Sequence, residues 1–416
     1  MTFVLGALLA ALRLLPVAAL AAPPADAVDF GAQARLLHRV AACGGDAALP
    51  AAVDARAVAA HCKAVARDVE GYRKKWLATA LPVLARLVPA GIPDRVVYPF
   101  GGGDLLTALA TFPAAVEYTT LSLEGIGDPR GIDTLDPKAL RAGLDVNRKK
   151  VRRLLNEAYS TTNSLGISTN TDLPGPLVFT LFALAIHGYE PVALRYFAVE
   201  ADGTLRYVTA ADVAAYDQAL PPRRAVRARK QGRIKAAEER AVEKERPMLT
   251  PAAEAGIFAN MELTFRKAGA GDAAAHKTYR HIVANLDDEH LAASPGALEH
   301  LRKKGRVTAM TKAASFLLWL DSFATVRDYL LANMDWMISD TTGIPPGYAM
   351  AAGFEQETWG RFERAYFAGG NGQAERELVA LWKAQPRRDL PFRYGYPDGK
   401  KQPHLLITRR IVQNKK

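Results

Sequence analysis

Three short stretches carry residue types that could do chemistry together. The first is Arg95-Val96-Val97-Tyr98-Pro99-Phe100-Gly101-Gly102-Gly103-Asp104, an apolar run, a glycine turn and an acid. The second is Leu123-Glu124, and the third is Asp340-Thr341-Thr342. Glycines at a strand-to-helix turn let backbone approach a ligand, and the helix start offers free N–H groups and a positive dipole. An acid closing the next strand is where a ribose hydroxyl is held in nucleotide-binding βαβ units. Asp104, Glu124 and Asp340 on one sheet edge could also bind a divalent metal or serve as acid and base. The plain alternative is local. Asp104 caps the helix after Gly103, and Asp340 caps a turn with Thr342, each contributing ~1 kcal/mol. The ligand-binding set is therefore Gly102, Asp104, Glu124, Asp340 and Thr342. No catalytic residue, metal ligand or cofactor is assigned. The eight histidines lack zinc spacing, G-x-S-x-G is absent, and Lys312-Ala313-Ala314-Ser315 reverses the S-x-x-K order.

These residues need a scaffold. Residues 95–98 read as a strand, Leu105–Phe112 as a helix and Tyr118–Leu123 as a second strand. Asp136-Pro137 starts another helix, since Asp suits the N-cap and Pro the first turn. Residues 177–187 read as a buried helix, and 191–199 with 205–209 as a hairpin turning at Ala201-Asp202-Gly203. Strands are expected at 256–266, 277–285, 335–340 and 405–409, and helices at 295–304, 311–320, 322–333, 355–367 and 373–384. The order implies an α/β fold with a Rossmann-like, mostly parallel sheet, a helical N-terminal cap and a basic helical insertion. Its parts are a signal peptide (1–22), the cap (23–90), a first α/β part (91–220), the insertion (221–247) and a second α/β part (248–416).

Thr2–Ala22 is almost wholly apolar, broken only by Arg13, and Ala19-Leu20-Ala21 before Ala22-Pro23-Pro24 fits a small-x-small cleavage site. A cleaved export signal is expected; the alternative is an N-terminal membrane anchor. No later apolar run is long enough to span a bilayer, so the mature chain carries no predicted transmembrane segment. Cys43 and Cys62, 19 residues apart, form a plausible disulfide in an oxidising compartment, contributing ~3 kcal/mol on the chain-entropy model; two unpaired helix cysteines are the alternative. Val40-Ala41-Ala42-Cys43 looks like a lipobox, but Arg35, His38 and Arg39 before it exclude that reading. The net charge of +11 favours anionic partners. Much of it lies in 223–246, where ten basic residues meet four acidic ones. That segment is a solvated helix or an arm for an anionic polymer or membrane surface. No aromatic residue interleaves it, so it carries no strong nucleic-acid signature.

The glycine turn followed by Glu124 resembles the first motif of class I methyltransferases. Leu105 or Leu106 stands where the third glycine falls, and Tyr98-Pro99 where an acid precedes the turn. Tyr98-Pro99-Phe100-Gly101-Gly102-Gly103-Asp104, Leu123-Glu124, Lys312 to Leu317 and Asp340 to Pro345 also resemble landmarks of a family of exported bacterial proteins of unknown function, over roughly 95–410. That family's first motif resembles Tyr-Pro-Phe-Ser-Gly-Pro-Asp. Gly102 and Asp104 match it, and a proline at the Gly103 position would remove a donor from any phosphate cradle. The resemblance implies export and brings no activity with it. The expectation is a periplasmic or secreted binding scaffold. The competing readings are a divergent methyltransferase-like or metal-assisted hydrolytic enzyme, and an envelope protein docking to anionic glycan or lipid through 223–246. Export predicts a mature N-terminus near Ala22, which the intact mass of protein recovered from the producing cell reads directly. Retention of Met1 would overturn cleavage, leaving an anchored chain or a cytoplasmic one with access to nucleotide cofactors.

Overall fold

A computed structural model describes residues 23–132, 135–157, 173–219, 256–271, 273–312, 314–340, 342–361, 372–394 and 403–411. The apolar stretch 1–22 and the basic run 223–246 lie outside the described residues. Ten strands form one sheet: β1 (Arg95–Tyr98), β2 (Glu117–Ser122), β3 (Tyr189–Val199), β4 (Leu205–Tyr207), β5 (Asn260–Lys267), β6 (Lys277–Val283), β7 (Val307–Thr311), β8 (Met334–Ser339), β9 (Phe354–Gly360) and β10 (His404–Arg410). Their order is β4-β3-β5-β6-β2-β1-β7-β8-β10-β9. The central run β6-β2-β1-β7-β8 is parallel. Both wings are antiparallel.

The expectation of a mostly parallel sheet is therefore corrected: the sheet is mixed, with five of its nine pairings antiparallel. One local misreading contributes, and a second lies in the parallel centre. Phe354-Glu355-Gln356-Glu357-Thr358-Trp359 reads as helical from its glutamates, yet it forms β9 against β10. The strand β7 ends at Thr311, where the core helix expected at 311–320 would begin. Beyond it the chain makes two short 3₁₀ turns, Ser315–Trp319 and Asp321–Phe323. Short apolar runs do not distinguish strand from buried helix by periodicity alone.

Helices cover both faces. On one lie α1 (Gly31–Val40), α2 (Ala55–Tyr72), α3 (Ala78–Leu87), α4 (Leu105–Thr111), α5 (Pro137–Glu157) and α6 (Gly175–His187). They share one core with Val96, Tyr98, Tyr118 and Met310. The N-terminal helices are thus part of this layer. The expected cap of α5 is present, with Asp136 Oδ1 accepting from Lys138 and Ala139, and Asp54 Oδ1 caps α2 in the same way through Arg56 and Ala57. The hydrophobic helix α6 is buried along nearly its whole length and stops at left-handed Gly188. After β4, α7 (Ala210–Ala219) leads toward the undescribed segment. On the opposite face α8 (Asp288–Ala293), α9 (Gly296–Arg302), α10 (Ala324–Asn333) and α11 (Pro346–Ala351) pack on Val97, Leu121, Ala309 and Met337. Helix α12 (Gly372–Ala384) precedes β10. The Cys43 and Cys62 sulfurs are 2.13 Å apart, tying the chain after α1 to α2.

The second face buries charge. Arg280 on β6 bridges Glu117 (3.1 Å) and Glu262 (2.6 Å), Lys304 also pairs with Glu117, and the Tyr207 hydroxyl donates to Glu262 at 2.9 Å. Burial alone would raise the Glu117 carboxyl, but the Lys304 and Arg280 cations outweigh it and hold it down to about 2. A carboxyl with a lowered folded pKa contributes stability that is present above its unfolded value of 4.5 and is lost as pH falls toward 2. We expect wild type to lose on the order of 3 kcal/mol across that window from this group. In urea titrations at stepped pH, Glu117→Gln should show a shallower acid dependence; parallel curves would remove Glu117 as the cause.

Candidate functional site

The carboxyl ends of β2, β1, β7 and β8 lie side by side, and β1 beside β7 is where the winding changes direction. In open α/β sheets ligands collect at that edge. The turn leaving β1 is strained. Phe100 has φ 59°, in the left-handed region that bulky residues avoid, and its ring packs edge-on against Phe323 at 5.7 Å. A Cβ on Gly101 would lie 2.7 Å from the Tyr98 ring, so only glycine fits there. Gly102 is left-handed at φ 51°. The amides of Gly101, Asp104 and Leu105 are bonded to Leu121, Gly101 and Gly103. The expected open cradle is thus partly closed by the turn itself.

Asp104 completes the closure. Its Oδ1 accepts from the Thr107 amide (3.1 Å) and hydroxyl (2.9 Å), so it is the N-cap of α4. Its Oδ2 accepts from Tyr98 at 3.2 Å and from Lys312 Nζ at 3.0 Å. Lys312 follows β7 and also donates to Thr107 Oγ1 at 2.7 Å, while its ammonium lies 5.4 Å from the Tyr394 ring centroid. All of these groups are buried. Burial, reinforced by the Asp104 and Asp340 charges, pushes the Tyr98 hydroxyl well above its usual range, and burial does the same to Tyr394, so both stay protonated donors. Asp340, after β8, accepts from Ser315 at 3.4 Å, and the Thr342 amide and hydroxyl donate to Ser315 at 3.3 and 3.2 Å. Thr342 therefore meets Asp340 through Ser315.

Glu124 belongs to a second group on the same edge. It lies just beyond β2 and is 2% exposed, and its Oε1 has no hydrogen-bond partner among the described residues. Beneath it His281 of β6 sits in register with Thr120. His281 Nε2 is 2.7 Å from the Glu124 carbonyl, which can only accept, so Nε2 carries the proton. Nδ1 is then the acceptor, 3.2 Å from Thr120 Oγ1 and 3.4 Å from the Tyr279 hydroxyl. Burial, partly opposed by the Glu124 and Gly102 carbonyls and the Glu124 charge, lowers the imidazole below its ordinary value and keeps it neutral. Ser122 is 3.2 Å from Nε2, a spacing that invites a nucleophile–base reading. The protonated Nε2 is a donor, however, and Ser122 is occupied by the Glu124 amide at 3.1 Å.

The expected residues thus all reach one edge but divide between two clusters. Asp104, Asp340 and Thr342 lie at β1, β7 and β8, with Glu124 at β2 and Gly102 between them. Among the described residues no group of three or more His, Cys, Asp or Glu is arranged to hold a metal. The sequence reading missed Lys312, His281, Ser315 and Tyr394 as site members. Lys312 was visible as a landmark, but its partner stands 208 residues away. The chain matches no family model, no curated protein and no solved structure.

Asp104→Asn keeps an acceptor at the cap and removes the charge beside Lys312. Disrupting a buried ion pair costs on the order of 3 kcal/mol. We expect the unliganded protein to lose about that much in urea unfolding. A loss under ~0.5 kcal/mol would show that the pair contributes little beyond an ordinary surface pair.

Proposed function

We propose that this chain is an exported α/β binding protein that takes a small hydroxyl-bearing ligand at the carboxyl edge of β2 and β1. The observation that carries the reading is the buried Glu124 oxygen beside the Gly102 turn, which has no partner among the described residues. A buried acceptor left unmade costs about 1–3 kcal/mol, so a donor placed there recovers that cost. A vicinal diol, as in ribose, supplies two donors to one carboxylate. The strand order supports it: β6-β2-β1-β7-β8 follows the 3-2-1-4-5 winding of nucleotide-binding sheets, with helices on both faces. The methyltransferase resemblance points to the same edge. The metal-assisted hydrolase reading is less favoured, because Glu124 stands apart from Asp104 and Asp340. Export is supported by the Cys43–Cys62 bond, which persists in oxidising compartments.

The test uses adenosine and 2′,3′-dideoxyadenosine as probes in a thermal-shift assay of the mature protein. Adenosine at 100 times its dissociation constant should stabilise by ~2.7 kcal/mol. The dideoxy analogue should shift it far less, and Glu124→Ala should lose at least about tenfold in adenosine affinity. Equal shifts from the two nucleosides would sink the diol reading. A larger shift from S-adenosylmethionine than from adenosine would favour the methyltransferase-like alternative.

A further inference from the structure

We propose that His281 is a positioning residue that makes the Glu124 site sensitive to protons, releasing its ligand as the imidazole becomes charged. This rests on the reading of Glu124 as the ligand acceptor. The geometry assigns the ring two simultaneous tasks. Through Nε2–H it holds the Glu124 carbonyl, fixing where the chain leaves β2. Through Nδ1 it accepts from the Thr120 hydroxyl, which lies 2.7 Å from the Tyr279 hydroxyl. Thr180 of α6, whose hydroxyl donates to Pro176 at 3.2 Å, lies beside the Tyr279 hydroxyl.

That arrangement tolerates a second ring proton. A hydroxyl both donates and accepts. On protonation of Nδ1 the Thr120 hydroxyl can turn from donor to acceptor and donate instead to the Tyr279 oxygen, whose own hydrogen turns to the Thr180 hydroxyl. No heavy atom need move and no buried donor is stranded. What changes is charge. The carboxylate with an open oxygen then has a cation beside it, which meets the need a ligand donor would otherwise meet. The ligand and the proton thus compete for one carboxylate.

The surroundings leave Glu124 as the charged group acting on this ring. On its own strand the near titratable neighbour is Tyr279, held as a neutral phenol by burial. Arg280, the adjacent residue, projects to the opposite face by strand alternation and pairs there with Glu117 and Glu262. On β5 the partner in register is apolar Met261. The turn after β1 presents the Gly102 backbone, and α6 presents Thr180. Burial lowers the pKa of the unliganded imidazole, so the transition falls below the ordinary value of 6.5. A ligand that prefers the neutral ring depresses it further. Affinity is therefore full at neutral pH and falls as pH drops through the unliganded pKa, by up to about tenfold per pH unit for one linked proton.

Two measurements on the mature chain test this. The first needs no ligand: His281 is followed by ring NMR through a pH titration, with its signals assigned by their loss in His281→Asn. Removing the carboxylate charge in Glu124→Gln should lower the His281 pKa by at least about half a unit, the shift that coupling of the ring to that charge requires. An unmoved titration overturns the coupling. The second is calorimetric titration of adenosine from pH 7.5 down to 4.5. Wild-type affinity should fall with pH while His281→Asn holds a flat profile. Parallel profiles also overturn the proposal. Absence of adenosine binding to wild type at every pH would instead defeat the site reading and, with it, the release of that ligand. The NMR result then decides the proton coupling on its own.

Discussion

Two opposite charges buried side by side, Asp104 and Lys312, constrain this end of the molecule. Each would be costly to bury alone, and their attraction offsets that cost only when the remaining valences are filled. The surrounding elements fill them. Thr107 serves both partners, Tyr98 donates to the carboxylate and the Tyr394 ring faces the ammonium. To meet these demands β1 must end at Tyr98, the chain must turn within a few residues, and β7 must deliver Lys312 beside the start of α4. The strained Phe100 and the glycine at 101 follow from that tight turn. The segment Leu390–Tyr394 is pinned over the pair by Trp76, whose indole donates to the Arg393 carbonyl at 2.6 Å and packs against Phe392. Trp76 lies in a π-helical turn between α2 and α3, a local unwinding that often marks functional regions.

How much of this was legible follows from distance along the chain. The unit β1–turn–α4–β2 is written within about thirty residues, and so are the Asp136 cap, the β3–β4 hairpin and the buried helix α6. Each depends on neighbours in sequence, where turn chemistry and periodicity act. The capping role of Asp104 was also readable, as the plain alternative to ligand binding. Its partner was not, because nothing local to Lys312 records a carboxylate 208 residues earlier. His281 was hidden for the same reason: it touches Glu124 across 157 residues and Thr120 across 161. In the antiparallel wings the strands β3, β4, β5 and β10 were readable, while the distant pairings of β5 and β10 and the strand β9 were not. Edge strands carry weaker patterns, and β9 is glutamate-rich because one side of it is only partly covered.

Those wings also explain why the sheet does not invite further strands. Outside β9, the Gln385 side chain accepts from the Thr358 amide and donates to the Gln356 carbonyl, and the Gly360 amide bonds to the Arg388 carbonyl. At the other margin β4 is three residues long, and Val28 bonds to the Val208 carbonyl beside it. Covered or short edges resist strand addition. Growth of this sheet by strand pairing at these two edges is therefore disfavoured.

The two buried polar networks on the parallel strands make a contrast that bears on function. On one face, near the start of β2, Glu117 and Glu262 are met by Arg280 and Lys304, with Tyr207 adding a donor. That arrangement already answers its carboxylates and has little left to offer a ligand. At the far end of β2, on the face carrying α6, Glu124 is as deeply buried as Glu117 but retains an oxygen with no partner among the described residues. Both acids belong to the same short segment of chain and bear similar desolvation. A fold that supplies two cations to one carboxylate is not short of means to neutralise the other. Leaving the second acceptor open, beside a histidine held neutral and a glycine turn held under strain, is what a binding site requires and what structural stability alone would disfavour.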